Sequence, residues 1–440
     1  MSEENKELRV IAAETGMTSP PRRRGALDTA WPLYGAAFAT GLSLSIAWTA
    51  MSFVLTAMGG TKAHVGNAPA VNSLAYMVAL LVTGSRLGHL DVKRSTRAAT
   101  AAALLSTALM VLAVFGARGR QDGGTLVWVW MMIVAGGLGG AAMALFWPFL
   151  MSWVSARYEG LELNRCLGRY NGSWSSGGVI GPLIGAWLAG KDPLWPMLAA
   201  VVCFVVSFFL LGLARSDSAH SRNGMKANLD RDLACDARTL ADFRWMSRVA
   251  LFCGWACFAI IRSQFALVFT GPLGHSESQF GVFMTTVALC NFLALIASGR
   301  WAFWHFRWTL LIGAQVMILA AVLMVIYGRA LGVLFLSAVV LGVAFGFSYS
   351  SHLFYGAATS RKRSIRMVIH EVTISIGVTI GAGVGGYLAK NVGLYAPYWF
   401  AVGLVGLGVA VQMAIHAASR ARAGVASSAP AAENAGIVKP

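Results

Sequence analysis

Long apolar runs separated by short polar segments dominate this chain. Twelve such runs fall at about 29–58, 71–87, 98–116, 125–154, 163–189, 194–214, 249–270, 280–299, 308–327, 331–355, 367–389 and 394–418. Each is close to or above the roughly 20 residues that an α-helix needs to cross a bilayer. The runs lack the ten-residue alternation of a membrane barrel. The pattern therefore predicts an all-α membrane protein with twelve transmembrane helices, in which each helix satisfies its own backbone polar groups.

Composition agrees: 57% of residues are hydrophobic and 12% charged, against about 25% charged in soluble domains. Lipid is the solvent this surface requires. The 49 glycines suit close helix packing inside a membrane. The net charge of +17 invites a nucleic-acid reading, but its distribution points elsewhere. With the N-terminus inside, 28 of the 35 Lys and Arg residues fall in the tails and inner loops and 6 in the outer loops. That asymmetry is the positive-inside pattern, with both termini cytoplasmic. No folded polar domain exists to carry a nucleic acid, so none is expected as a partner.

Residues 1–28 form a polar tail with Arg22, Arg23 and Arg24 ahead of the first run. The triplet weakly resembles a twin-arginine signal, but the run behind it is too long for a signal core, so it reads as an anchor. Met17 is an alternative start. Residues 419–440 are rich in Ala, Ser, Gly and Pro and are expected to be disordered. The polar segment 215–248 is the longest between apolar runs and divides them six and six. The domains expected are thus a tail, a bundle over 29–214, a linker over 215–248, a bundle over 249–418 and a second tail.

The halves also resemble each other. At an offset of 200, Gly177, Gly181, Gly185, Trp187, Leu188 and Ala189 meet Gly377, Gly381, Gly385, Tyr387, Leu388 and Ala389. At an offset of 214, Val54, Thr56 and Gly60 meet Val268, Thr270 and Gly274. Members of each pair run in the same direction, so the repeats are parallel, related by an axis along the membrane normal.

Run 5 contains Gly177-Gly178-Val179-Ile180-Gly181-Pro182-Leu183-Ile184-Gly185-Ala186. With twelve spans, two parallel halves and a long central linker, this resembles the major facilitator superfamily (MFS), whose antiporters often carry Gly-x-x-x-Gly-Pro-x-x-Gly-Gly. Only the last glycine differs. The resemblance covers about residues 29–418 and implies two pseudo-symmetric six-helix bundles rocking about a midplane cavity. Gly181, Pro182 and Gly185 would then form a flat packing face with a bend, or serve packing alone. Between runs 2 and 3, Gly84-Ser85-Arg86-Leu87-Gly88-His89-Leu90-Asp91-Val92-Lys93-Arg94-Ser95-Thr96-Arg97 loosely matches the family's Gly-x-x-x-Asp-Arg-x-Gly-Arg-Arg. The resemblance implies that Asp91 caps helix 11 and pairs with Arg157 at the end of helix 4, unless the loop is simply solvated. Run 4 reads Ala135-Gly136-Gly137-Leu138-Gly139-Gly140-Ala141-Ala142. It lacks the arginine that drug–proton antiporters carry there, which counts against proton-coupled drug export.

Chemistry concentrates in the polar residues within the runs. Arg262 is the one Lys or Arg deep inside an apolar run. A guanidinium at that depth marks a pathway or a partner. With Gln264 beside it, and Trp48 as its counterpart at offset 214, it is a candidate anion-binding residue in the cavity, which in this superfamily is lined by helices 1, 4, 7 and 10. A packing or gating pair is the alternative. In run 5, Asn171 and Trp174 are candidate substrate contacts or interhelical bonds, while Arg165 and Arg169 lie close enough to the inner end to snorkel. In run 11, His370 and Glu371 stand where run 5 has Tyr170 and Asn171. With His352 at similar depth, they are candidate proton carriers, since His titrates near neutrality. Alternatively Glu371 pairs with Arg86 or Lys93 as an inner gate. Arg262 lies about 20 Å in from the inner end of its run at roughly 1.5 Å per residue, too far for contact with Glu371. The His-Glu string lacks the second His of a zinc motif. Cys253 and Cys257, four residues apart, are read as small packing residues rather than soft-metal ligands.

The function expected is secondary active transport of a small molecule by alternating access, with an organic anion favoured and H+ as the coupling ion. Amphipathic drugs and siderophores or metal chelates are the alternatives. A non-transporting receptor or scaffold is the alternative class. No nucleophile–base set or nucleotide loop is visible, so neither an enzyme nor a cofactor is expected. The partners expected are the lipid bilayer and the solute. The location expected is a bacterial inner membrane, with the protein a multi-pass monomer.

Overall fold

The computed structural model describes residues 31–83, 91–119, 124–155, 160–214, 237–357 and 363–428. Twelve helices account for nearly all of them, and no strand forms among the described residues. They are α1 (Trp31–Ala57), α2 (Lys62–Thr83), α3 (Val92–Ala117), α4 (Thr125–Ser155), α5 (Gly160–Ala189) and α6 (Leu194–Leu213) in the first half. In the second half α7 is one rod built from Ala237–Ile260, a π-helical turn Ile261–Phe265, and Ala266–Thr270. It is followed by α8 (Glu277–Arg300), α9 (Trp308–Tyr327), α10 (Leu331–Ala357), α11 (Arg363–Asn391) and α12 (Ala396–Ser428). Eleven of the twelve are long and apolar enough to cross a membrane. The exception is α5, whose first turns carry Glu162, Arg165 and Arg169.

Four helices run well past the ends of their apolar runs: α2 begins at Lys62 rather than 71 and α3 at Val92 rather than 98. α7 begins at Ala237 rather than 249, and Arg244 within this extension donates Nε to the Tyr355 carbonyl at 2.8 Å. α12 reaches Ser428 rather than 418, correcting part of the expected disordered tail. Its extension is rich in Ala and Arg, both strong helix formers, and Arg422 holds Asp242 with two 3.0 Å bonds.

Glycine faces set the packing. Gly177, Gly181 and Gly185 of α5 lie directly on α1: a Cβ at Gly177 would fall 2.6 Å from the Phe38 carbonyl, and one at Gly181 would overlap Ser45. On the other half, Gly377 and Gly381 of α11 lie equally close to Phe252, Trp255 and Ala256 of α7. The glycine repeat at offset 200 is therefore a repeated contact. Likewise Gly140 of α4 meets Asn72 of α2, as Gly346 of α10 meets Asn291 of α8.

The halves meet along two helix pairs. Gly281 of α8 packs against Pro182 and Ala186 of α5, and Gly66 of α2 against Gly386 and Ala382 of α11. Hydrogen bonds join the halves from Ser52 Oγ to the Ser263 carbonyl (2.9 Å), Ser73 Oγ to the Ser375 carbonyl (3.3 Å), Gln264 Nε2 to the Lys62 carbonyl (3.4 Å) and Tyr76 to Glu371 (3.1 Å). Call the end where α1 begins and α6 and α12 finish the terminal face. Each of these bonds lies at or beyond the level of Tyr76 and Glu371, towards the opposite face. The halves are thus clamped at the end remote from the termini.

Candidate functional site: the central cavity

A cavity of about 230 Å³ lies between the halves. From the first half it is lined by Trp48, Met51 and Ser52 of α1, Asn72, Ser73 and Tyr76 of α2 and Trp147 of α4. From the second it is lined by Trp255, Phe258, Arg262 and Ser263 of α7 and Glu371, Ile374 and Ser375 of α11. At about 30 Å³ per water, the space holds roughly seven or eight waters or one small solute.

The π-helical turn sits at Arg262. Such turns carry one residue more than an α-turn and recur at functional positions. The Ser263 carbonyl within it is taken up by Ser52 of α1, and Ser263 Oγ turns back to the Ala259 carbonyl at 2.7 Å. Arg262 itself stands 6.0 Å from the centre of the Phe258 ring, near the limit of a cation–π contact. Its Nε is buried without a hydrogen-bond partner, as is Trp255 Nε1. Two unsatisfied donors thus belong to side chains of one cavity. A buried donor without an acceptor costs about 1–3 kcal/mol, more for a charged group.

Glu371 is the acid lining this cavity among the described residues. Its Oε2 accepts the Tyr76 hydroxyl at 3.1 Å, across the gap between the halves. No ion pair joins it to Arg262 among the described residues, although both face the same space. Behind it lie His352 and His370, 3% and 1% exposed. Their Nδ1 atoms are 2.8 Å apart, so one ring donates and the other accepts. The Tyr349 ring meets His370 edge-on at 4.7 Å.

The sequence candidates divide accordingly. Arg262, Trp48 and Glu371 line the cavity. Gln264 does not: it is 1% exposed and turned to the Lys62 carbonyl. It lies on the seam between the halves, bonded across to α2 rather than turned into the cavity. Asn171 and Trp174 also fall outside the lining. Trp174 Nε1 donates to Asn171 Oδ1 at 3.1 Å, and the Trp174 ring sits 6.0 Å behind Trp147. α10 contributes no lining residue among those described; its Phe345 stacks on Phe258 from behind, at 4.8 Å. Lys93 is not a gate partner of Glu371, because its Nζ caps α6 at the carbonyls of Gly212 (3.2 Å) and Ala214 (2.6 Å). Asp91 caps its own helix, accepting the Arg94 amide at 2.7 Å. Arg157 and Arg86 lie outside the described residues. Cys253 and Cys257 are buried packing residues, and the Cys253 thiol points to the Leu404 carbonyl at 3.7 Å.

Sequence reasoning missed Trp255 and Phe258. They precede Arg262 by seven and four residues, the spacing of one helix face, so the signal was present. Tyr76, Asn72 and Trp147 carried no comparable mark.

The sequence model of the Major Facilitator Superfamily matches residues 33–352. The chain belongs to this superfamily. No curated protein matches it in sequence. Among solved structures it is similar to a bacterial homologue of the iron transporter ferroportin in an inward-facing state. There the TM-score is 0.67 at 14% identity, over 89% of this chain and 99% of the other. It is also similar to the nucleoside transporter NupG, with TM-score 0.61 at 12% identity, over 88% and 99%. At such identities the likeness carries the fold and not the substrate. The MFS chain described here is a multi-pass transporter of a solute, and its central cavity is where the two halves of such a fold enclose one.

Proposed function

We propose that this MFS protein carries a small organic anion together with a proton. The observation that carries the reading is the Arg262 guanidinium, which lines the central cavity with no acidic partner among the described residues. Carboxylate and phosphate match its planar fork in two parallel hydrogen bonds. Trp48, Trp147, Trp255 and Phe258 surround the remaining space, which favours an anion with a flat or apolar body.

Charge balance supports the coupling. An empty cavity with Arg262 protonated and Glu371 ionised is neutral overall. A bound monoanion alone leaves it net negative, and protonation of Glu371 restores neutrality. Net charge inside a low-dielectric passage is expensive, so the halves would rearrange readily with both anion and proton aboard or with neither. We assign the coupling role to Glu371, and its bond from the Tyr76 hydroxyl, which crosses the seam between the halves, supports that reading. His370, next to Glu371 in sequence, and His352, bonded to it at 2.8 Å, are the relay we assign between Glu371 and the terminal face. That face is cytoplasmic by the charge asymmetry of the loops.

The test is uptake into proteoliposomes of a panel of radiolabelled organic anions under an inwardly directed proton gradient, acid outside. Wild-type protein accumulates at least one of them. Arg262→Ala abolishes this and Arg262→Lys reduces it strongly, because an ammonium cannot reproduce the bidentate contact. Unchanged uptake in both variants refutes the reading.

A further inference from the structure

The turn between α8 and α9, residues 301–307, lies on the terminal face. We propose that this turn is a membrane anchor that grips the anionic lipid headgroups of the leaflet on that face.

The stretch Arg300-Trp301-Ala302-Phe303-Trp304-His305-Phe306-Arg307-Trp308 brackets aromatic rings with arginines. Its side chains fall into two sets. Trp304 turns inward: it is 3% exposed, its Nε1 donates to the Ser298 carbonyl at 3.0 Å, and its ring meets Phe347 and Tyr355 of α10. His305 stacks on Phe354 at 3.8 Å, and the Phe306 N–H donates to the Tyr355 hydroxyl at 2.9 Å. Trp301 and Phe303 turn outward, 57% and 59% exposed, and Arg300 and Arg307 are exposed beside them. The turn is thus a bracket bolted to α10 that holds two rings and two guanidinium groups outside the protein.

Phe306 carries φ 55°, a left-handed conformation that no other non-glycine residue adopts among the described residues. Bulky residues seldom do so. Such conformations persist only where the surroundings over-determine them, and they cluster at functional positions. Here the conformation carries the chain from the inward His305 to the outward Arg307.

Continuity and charge identify the occupant as lipid. Leu289, Leu293 and Ile296 of α8 are exposed at spacings of four and three residues, which is one helix face. A further step of four continues that face to Arg300, in the last turn of α8. On a spanning helix this exposed apolar face meets acyl chains, and Arg300 stands where it passes into the headgroups. Exposed tryptophans settle at the same level. The charge fits as well: no Asp or Glu occurs between Glu277 and Glu371. The loop charge asymmetry assigns this face to the cytoplasm, whose leaflet carries a negative surface potential that attracts basic residues. A soluble acidic partner would use the arginines but leave the lipid-facing stripe unexplained. Nothing in this argument depends on what Arg262 binds.

The experiment places the full-length protein in nanodiscs of phosphatidylcholine with increasing phosphatidylglycerol, and native mass spectrometry reads the retained lipid. Wild-type protein should retain phosphatidylglycerol above its share of the bilayer. The fraction needed for half-maximal retention should rise about fivefold in Arg300→Gln and in Arg307→Gln, as loss of one basic residue at an anionic surface requires. Arg300→Lys keeps the charge and should lose little. Arg420→Gln, which removes an exposed cation of α12, should leave the fraction unchanged. These positions are all exposed, so an unchanged thermal melt serves as the check on folding. In a variant freed of its native cysteines, a nitroxide on Phe303→Cys should be relaxed more by lipid-soluble oxygen than by a water-soluble nickel chelate. Three results overturn the proposal. The first is wild-type protein with no preference for phosphatidylglycerol. The second is an Arg420→Gln loss as large as that of the turn variants, which reduces the effect to general surface charge. The third is stronger relaxation by the chelate, which puts the turn in water and makes a soluble partner its occupant.

Discussion

Opening the clamp between α2 and α11 is the sharpest mechanical test of this structure. Gly66 and Gly386 let the two helices touch backbone to backbone. A Cβ built on Gly66 overlaps the Ala382 carbonyl and lies 2.7 Å from Gly386 Cα and 2.9 Å from its nitrogen. All three obstacles are main-chain atoms, so no rotamer change relieves them. Gly66→Val therefore penalises the state seen here, closed away from the termini, but not a state in which α2 and α11 have parted at that end. Overpacking of a tight contact costs about 1–3 kcal/mol, which shifts the ratio of the two states by about 5- to 150-fold. The reporter is Ala70, 8% exposed and sandwiched against α11 where Thr379 reaches its carbonyl at 3.5 Å. In a variant freed of its native cysteines, Ala70→Cys should react slowly with a membrane-impermeant maleimide. Adding Gly66→Val should speed that reaction within the same 5- to 150-fold range. A folded double variant whose labelling rate is unchanged or slower would refute the idea that this contact is the closed gate.

Other expectations follow from the same contacts. Glu371→Gln keeps a hydrogen-bonding partner for Tyr76 but cannot exchange a proton. Anion exchange across proteoliposomes should persist while accumulation driven by a pH gradient disappears, and accumulation that survives would remove Glu371 from the coupling role. Gly181→Val pushes α5 off Ser45 and Ile46 of α1 and should lower stability by about 1–3 kcal/mol, read as an earlier thermal melt in detergent. The matched change on the second half, Gly381→Val against Ala256 of α7, should lower it by a similar amount, and a marked difference between the two would count against equivalent packing in the halves.

Much of this architecture was legible in the sequence because lipid imposes it. Runs of apolar residues long enough to span a bilayer can only be helices, and each of the twelve runs overlaps a helix among the described residues. The glycine faces of runs 5 and 11 were readable because close approach excludes any side chain, and they point to α1 and α7 in the same way. What failed did so for geometric reasons. The ends of α7 and α12 were set too short because helix 237–248 and helix 419–428 are polar, and apolarity was the only ruler. Gln264 was grouped with Arg262 by adjacency, whereas its side chain is taken up by the Lys62 carbonyl across the seam. The π-helical turn has no sequence mark here. Tyr76 and Asn72 look like ordinary polar residues of α2 until α11 and α4 are placed beside them, which is tertiary information. Arg262 was recognisable because one guanidinium deep within an apolar run stands against the solvation energy of the whole segment.

The role of that guanidinium is most directly measured by equilibrium binding. Once an organic anion is identified, isothermal titration of purified protein should show wild-type binding that weakens by about 10- to 100-fold in Arg262→Lys and is undetectable in Arg262→Ala, as loss of a charge-assisted pair in a buried site requires. Binding of equal strength in all three proteins would contradict the account, because the anion would then owe nothing to Arg262.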